Sequence, residues 1–168
     1  MVEIRELKNS SLCEIETFFR EVSTKEPWND DWSDPCQLRQ YILDLTGNPN
    51  SLAFGFFENG EMVDLAMGSV RHWYMGTEYS IDEFCIKIPE QGRGLGTRFL
   101  REIEICIREK GIQQIFLQTE RMVPAYEFYR KNGFLNWMSM SLWPKEYRPG
   151  EKQPLPRKGR FCERSAAA

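Results

Sequence analysis

Apolar and charged residues alternate from Val2 to Leu7, as they do in a strand with one face buried. The next apolar residues, Leu12, Ile15, Phe19 and Val22, fall at helical spacing, and Ser11-Leu12-Cys13-Glu14 has the form of a capping box at the start of that helix. A second helix is predicted to begin at Asp34-Pro35, a cap residue followed by proline at the first helical position. It runs through Leu38, Tyr41, Ile42 and Leu45 and stops at Gly47. Two apolar runs, Ser51 to Phe57 and Met62 to Arg71, flank Glu58-Asn59-Gly60-Glu61, where Asn-Gly predicts a tight antiparallel hairpin. After a turn at Met75-Gly76-Thr77, the run from Tyr79 to Ile88 reads as a strand buried on both faces, with Asp82 and Glu83 left inside it.

Helical spacing returns from Thr97 to Lys110, where Phe99, Leu100, Ile103, Cys106 and Ile107 share a face and Gly111 closes the segment. A strand over Ile112 to Thr119, a short helix over Pro124 to Asn132 and a last strand over Phe134 to Leu142 complete the chain. The expected order is β-α-α-β-β-β-α-β-α-β, and its central strand-helix-strand unit calls for two parallel neighbours in an otherwise antiparallel sheet. The fold class is thus an α/β (α+β) mixed, twisted sheet flanked by helices. No internal boundary or repeat interrupts it.

Composition narrows the function. With 168 residues, 41% hydrophobic and 13% aromatic, the chain supports a packed core. No long apolar run or leader-like segment is evident, which points to the cytoplasm. Five widely spaced cysteines (Cys13, Cys36, Cys85, Cys106, Cys162) without a Cys-x-x-Cys pair read as free thiols, and the single histidine, His72, makes a metal site an unattractive reading. The net charge is −3, unevenly spread: from Pro144 onward seven Lys/Arg face three Glu, a local +4 that leaves −7 on the rest. Residues 1–143 are therefore read as one domain and 144–168 as a basic, proline-rich tail. An acidic body argues against nucleic acid as the partner.

The glycine-rich stretch Glu90-Gln91-Gly92-Arg93-Gly94-Leu95-Gly96-Thr97 lies between the buried strand and the amphipathic helix. It lacks the lysine of a Walker loop and the Gly-x-Gly-x-x-Gly spacing of a dinucleotide fingerprint. Converging backbone amides, a helix N-terminus and Arg93 would suit a pyrophosphate. A turn with no ligand is the alternative. Gln91-Gly92-Arg93-Gly94-Leu95-Gly96 resembles the Gln/Arg-x-x-Gly-x-Gly/Ala signature of the GNAT superfamily of acetyl-CoA-dependent N-acetyltransferases. Ala125-Tyr126-Glu127-Phe128-Tyr129-Arg130-Lys131-Asn132-Gly133-Phe134 is similar to that family's later A-x-x-F-Y-x-x-x-G-F motif, and the likeness extends roughly from Val2 to Leu142. The resemblance implies a sheet split between two parallel strands, with acetyl-CoA as cosubstrate and no metal. Its pantetheine would pair with Ile86 and Ile88, and its pyrophosphate with the amides of Gln91, Gly92, Arg93, Gly94, Leu95, Gly96 and Thr97. One departure is Met122, where the family often has asparagine.

Acetyl transfer to an amine needs a base, because an amine like that of lysine, with a pKa near ~10.4, arrives protonated, and it benefits from an acid for the departing thiolate. Glu83 is the expected base, since a carboxylate inside an apolar strand is costly without work or a partner, and it matches a glutamate of similar GNAT sequences. An ion pair with Arg71 is the structural reading of the same residue, and Glu120 is a second candidate base. The resemblance implies Tyr129 as the acid. Cys85 as an acetylated nucleophile is a weaker reading, because no histidine stands near it in sequence to activate it. Trp28, Asp30, Asp31 and Trp32, in the connection between the first two helices, together with Glu120, suit a cationic small-molecule or peptide amine by cation–π and ion pairing. A protein that binds acyl-CoA without transferring the acetyl group, as a sensor or interaction module, is the contrasting functional class. Sequence leaves monomer and homodimer open, and indicates no membrane partner.

Overall fold

The structure is a computed structural model that describes residues 2–135. The basic tail and nearly all of the strand expected over Phe134 to Leu142 lie outside the described residues. The elements are β1 (Val2–Leu7), α1 (Leu12–Ser23), α2 (Pro35–Thr46), β2 (Ser51–Glu58), β3 (Glu61–Trp73), β4 (Gly76–Ile86), α3 (Leu95–Glu109), β5 (Gln114–Leu117) and α4 (Pro124–Lys131).

Local chemistry accounts for most boundaries. Asp34 caps α2 by accepting from the amides of Cys36 (2.8 Å) and Gln37 (3.3 Å), with Pro35 behind it. Asn59 and Gly60 both take positive φ, 53° and 87°, as a two-residue hairpin turn with the right twist requires. The capping box expected at Ser11 does not form. A 3-10 turn over Asn9–Ser11 runs straight into α1, leaving Ser11 at φ −93°, ψ 7° with no side-chain cap bond. Two strands are shorter than expected: β4 ends at Ile86, with Ile88 in a 3-10 turn (Ile88–Glu90), and β5 covers only Gln114–Leu117. Helix α3 starts two residues early, at Leu95.

The five strands lie in chain order, antiparallel from β1 to β4 and parallel between β4 and β5. Helices α1 and α2 cover one face: Ile15, Phe19, Leu38 and Ile42 pack there with Phe57, Leu65 and Met67. Helix α3 covers the other face through Phe99, Ile103 and Ile107, against Phe54, Phe56, Ala66 and Tyr79. Fully burying one such side chain contributes about 1.5–3 kcal/mol, so these two layers hold the sheet.

The β4–β5 pairing runs only from Glu78↔Gln114 to Ile81↔Leu117, whereas β4 continues to Ile86. The sheet therefore opens on that side beyond Ile81. Just there β4 carries an extra residue: Met67 pairs with Glu83 and the next residue, Gly68, pairs with Ile81, so Asp82 is bulged. Glycine is required at position 68, because a Cβ there would run into the Ser80 carbonyl oxygen and lie 2.9 Å from the Ile81 Cα.

Candidate functional site

The glycine loop follows directly from β4. Gly92 and Gly94 adopt φ of 79° and 78°, with open space where a Cβ would stand, so backbone conformation is what demands glycine there. Gly96 has a different reason. A Cβ on it would strike Ile86 Cδ1 and lie 3.2 Å from Phe128 Cζ, so the first turn of α3 sits tightly on β4 and α4. Gly94 is the N-cap of α3 and offers no side chain, and the first turn carries no acidic residue. The leading amides of α3 are thus left to an external acceptor, at the positive end of the helix dipole. Arg93 does not add a free charge: it pairs with Glu90 and, at 3.5 Å, with Glu58. The Gln91 side-chain Nε2 donates to the Ile86 carbonyl at 3.3 Å and ties the loop back to the end of β4.

Glu83 stands at the opening of the sheet, on the face of α1 and α2 opposite Met67. Its partner is the Tyr41 hydroxyl of α2, which donates to Oε1, rather than Arg71, whose charge acts on Asp82 instead. Burial pushes the Glu83 carboxyl up, the Tyr41 bond pulls it down, and the nearby carboxylates of Asp30 and Asp82 push it up again; the net direction is upward. The carboxyl is therefore a better base than one in water. Sequence spacing placed Tyr41 only in a helix stripe and gave no sign of this bond, which joins residues 42 positions apart.

Tyr41 is held on both sides by rings. Trp32 stacks on it at 5.2 Å between centroids and 27° between planes, and Phe19 meets it at 5.7 Å. The indole Nε1 of Trp32 is buried without a hydrogen-bond partner among the described residues. Of the four acceptor-site candidates in the connection before α2, Trp32 and Asp30 therefore reach the surroundings of Glu83. Trp28 is half exposed, and the Asp31 carboxyl is lowered first by the Ser33 hydroxyl and then by the Ser33 amide, which donates to it at 3.1 Å. Glu120 lies exposed in the loop between β5 and α4.

Tyr129 of α4 is buried among Phe84 (6.1 Å), Phe128 (5.2 Å) and Phe134 (5.4 Å). Its hydroxyl is pushed up first by burial and then by Cys85 and Glu83, so at neutral pH it is a proton donor. Cys85 is buried, and burial together with Glu83, Asp30 and Asp64 pushes its thiol well up. That disfavours the thiolate a nucleophile would need. A second buried carboxyl belongs to Asp64 of β3, paired across the ladder with Ile86 and on the α3 face with Phe56. Neither of its oxygens has a partner among the described residues, and burial raises its pKa to about 7. The sequence signal for Asp64 was a single acid between Val63 and Leu65, overlooked beside the Asp82-Glu83 pair.

The sequence profile of the acetyltransferase (GNAT) family matches residues 10–134, about three quarters of the chain, so this chain belongs to the GNAT acetyltransferase family. A possible acetyltransferase from Clostridium difficile 630 superposes with a TM-score of 0.72 at 17% identity, covering 88% of this chain and 99% of that one. An aminoglycoside acetyltransferase from an uncultured soil metagenomic sample, in complex with sisomicin, gives 0.68 at 18% identity, covering 88% and 97%. AAC(6')-Iy, in complex with the bisubstrate analog CoA-S-monomethyl-acetylneamine, gives 0.65 at 15% identity, covering 88% and 99%. These likenesses establish the fold. No curated protein matches the sequence.

Proposed function

We propose that the chain is an acetyl-CoA-dependent N-acetyltransferase acting on a cationic primary amine by direct attack in a ternary complex. The observation that carries this reading is the coincidence of the opened β4 edge with Glu83, whose proton affinity is raised by burial, and with the protonated Tyr129 hydroxyl. The free edge of β4 from Asp82 to Ile86 gives pantetheine a strand to pair with through the backbone of Ile86. Ile88, outside the strand, is left to border the entrance to the loop. The amides from Gly92 to Thr97 hold the pyrophosphate, whereas the backbone amide of Gln91, also expected there, donates to the Ile88 carbonyl at 3.2 Å.

Glu83 removes a proton from the ammonium, and the freed nitrogen attacks the thioester carbonyl carbon. A C–N bond forms, the C–S bond breaks, and Tyr129 donates its proton to the sulfur. The amine's second proton leaves to solvent, Glu83 passes its proton there as well and Tyr129 is reprotonated from solvent, so one net proton is released with the amide and the thiol. Asp30, Asp82 and Glu83 provide a negative field for the cation and Trp32 an aromatic wall. Aminoglycosides, named in the description of the similar soil-metagenome acetyltransferase, are one such class; polyamines and lysine peptides are others.

The test is thiol release from acetyl-CoA against polyamines, aminoglycosides, amino acids and lysine peptides, run beside a thermal-shift measurement with CoA. Release with a cationic amine and a midpoint raised by CoA, both lost in Gly94→Val with its circular dichroism unchanged, are the expected results. A midpoint that does not move at millimolar CoA rejects the cradle. A raised midpoint with no thiol released by any amine makes the protein an acyl-CoA sensor.

A further inference from the structure

Glu83 is faced by titratable groups from several elements: Asp82 and Cys85 of its own strand, Asp30 of the connection before α2, Tyr41 of α2 and Tyr129 of α4. Across β3 it meets only Met67. Of these, Asp30 and Asp82 push the Glu83 carboxyl toward its protonated form, which cannot act as a base. Among the described residues Tyr41 alone donates to it, and Tyr41 has little freedom to turn away, being pressed between Trp32 at 5.2 Å and Phe19 at 5.7 Å. A phenol whose own ionisation is pushed up by burial and by Glu83 stays a donor through the working range of pH.

We infer that Tyr41 is the positioning residue of the acetyl-transfer centre: its ring-clamped hydroxyl engages Glu83 Oε1 and leaves Oε2 to take the proton of the incoming ammonium. The inference rests on Glu83 being the base. Tyr41 touches neither the amine nor the thioester. Its effect passes through Glu83 in two ways, by fixing the rotamer of the carboxylate and by holding it ionised despite burial and the acidic neighbours.

The experiment uses the full chain in three forms, wild type, Tyr41→Phe and Trp32→Leu, with Glu83→Gln as reference. The carboxyl of Glu83 is followed by carbon NMR on glutamate-labelled protein as pH is varied, its resonance assigned by its disappearance in Glu83→Gln. Tyr41→Phe keeps the ring and removes one donor, and should raise the midpoint of Glu83 by about one pH unit, the equivalent of one lost hydrogen bond to a charged group. Trp32→Leu should raise it less. The acid limb of kcat/KM, measured with acetyl-CoA and the amine found by thiol release, should move up with the NMR midpoint, and the rate of Tyr41→Phe should approach wild type at high pH. A midpoint unchanged in Tyr41→Phe overturns the inference while leaving Glu83 as base. A Glu83→Gln protein with wild-type rate rejects the base itself, and the positioning role with it, whatever the midpoint does. A rate lowered equally at every pH would mean that Tyr41 only packs, and also overturns the inference.

Discussion

Asp64 and Glu83 lie on adjacent strands of one antiparallel ladder and face opposite sides of the sheet. Asp64 points into the layer under α3, fully buried, with both oxygens unpartnered among the described residues. Glu83 points toward α1 and α2, where a tyrosine donates to it and the sheet opens beside it. Burial raises both carboxyls, so raised basicity alone does not mark a functional acid. What separates them is access and support: Glu83 has a donor that keeps one oxygen placed and a cleft on which the other can act. Asp64 has neither, and is a cost carried by the fold.

The strongest way to break this comparison is to neutralise each acid in turn. Glu83→Gln should lower kcat by roughly 10²–10⁴-fold, the usual worth of a general base, with the CoA-induced thermal shift retained. Asp64→Asn should leave kcat within about twofold under the same principle, since it reaches no reacting atom. Equal losses in the two variants would erase the distinction.

The next largest effect is on stability, and it runs in favour of the Asp64 variant. The native carboxyl titrates near 7, above the 3.8 of a free aspartate. As pH rises through that interval, the unfolded chain releases a proton that the native state still holds, so stability falls across the window and levels off above it. Each unit is worth about 1.4 kcal/mol, so the penalty at pH 8 is on the order of a few kcal/mol. Asp64→Asn should match wild type near pH 4 in urea unfolding and exceed it at pH 8. A wild-type stability flat between those values would mean that Asp64 is paired in solution. The smallest effect is expected from Tyr129→Phe, about tenfold or more in turnover and largest at high pH, where solvent supplies protons least readily.

Features governed by neighbours in sequence were legible beforehand. The Asn59-Gly60 hairpin, the Asp34 cap and the apolar stripe of α3 each depend on a few consecutive residues, and the structure contains them where the pattern put them. Ser11 failed because its role depends on how the preceding 3-10 turn delivers the chain into α1. The location of Glu83 in the central strand was readable, but its partner was not, since Tyr41 reaches it only once α2 has packed on the sheet. Glycines 92, 94 and 96 look alike in sequence, yet two serve backbone conformation and the third serves contact with Ile86 and Phe128.

The bulge at Asp82 acts as a phase shift in an alternating code. Before it, the odd-numbered Tyr79 and Ile81 lie in the layer under α3; beyond it, the even-numbered Phe84 stacks on Phe99 at 5.4 Å and Ile86 lies under Gly96. Glu83 and Cys85 are thereby handed to the opposite side. Deleting Asp82 would remove the extra residue and leave every other side chain on its present face, whereas flattening the bulge at unchanged length would drive Glu83 against Phe99 and turn Phe84 toward Tyr41. The extra residue at Asp82 is thus part of the site, because it decides which side of the sheet Glu83 and Cys85 face.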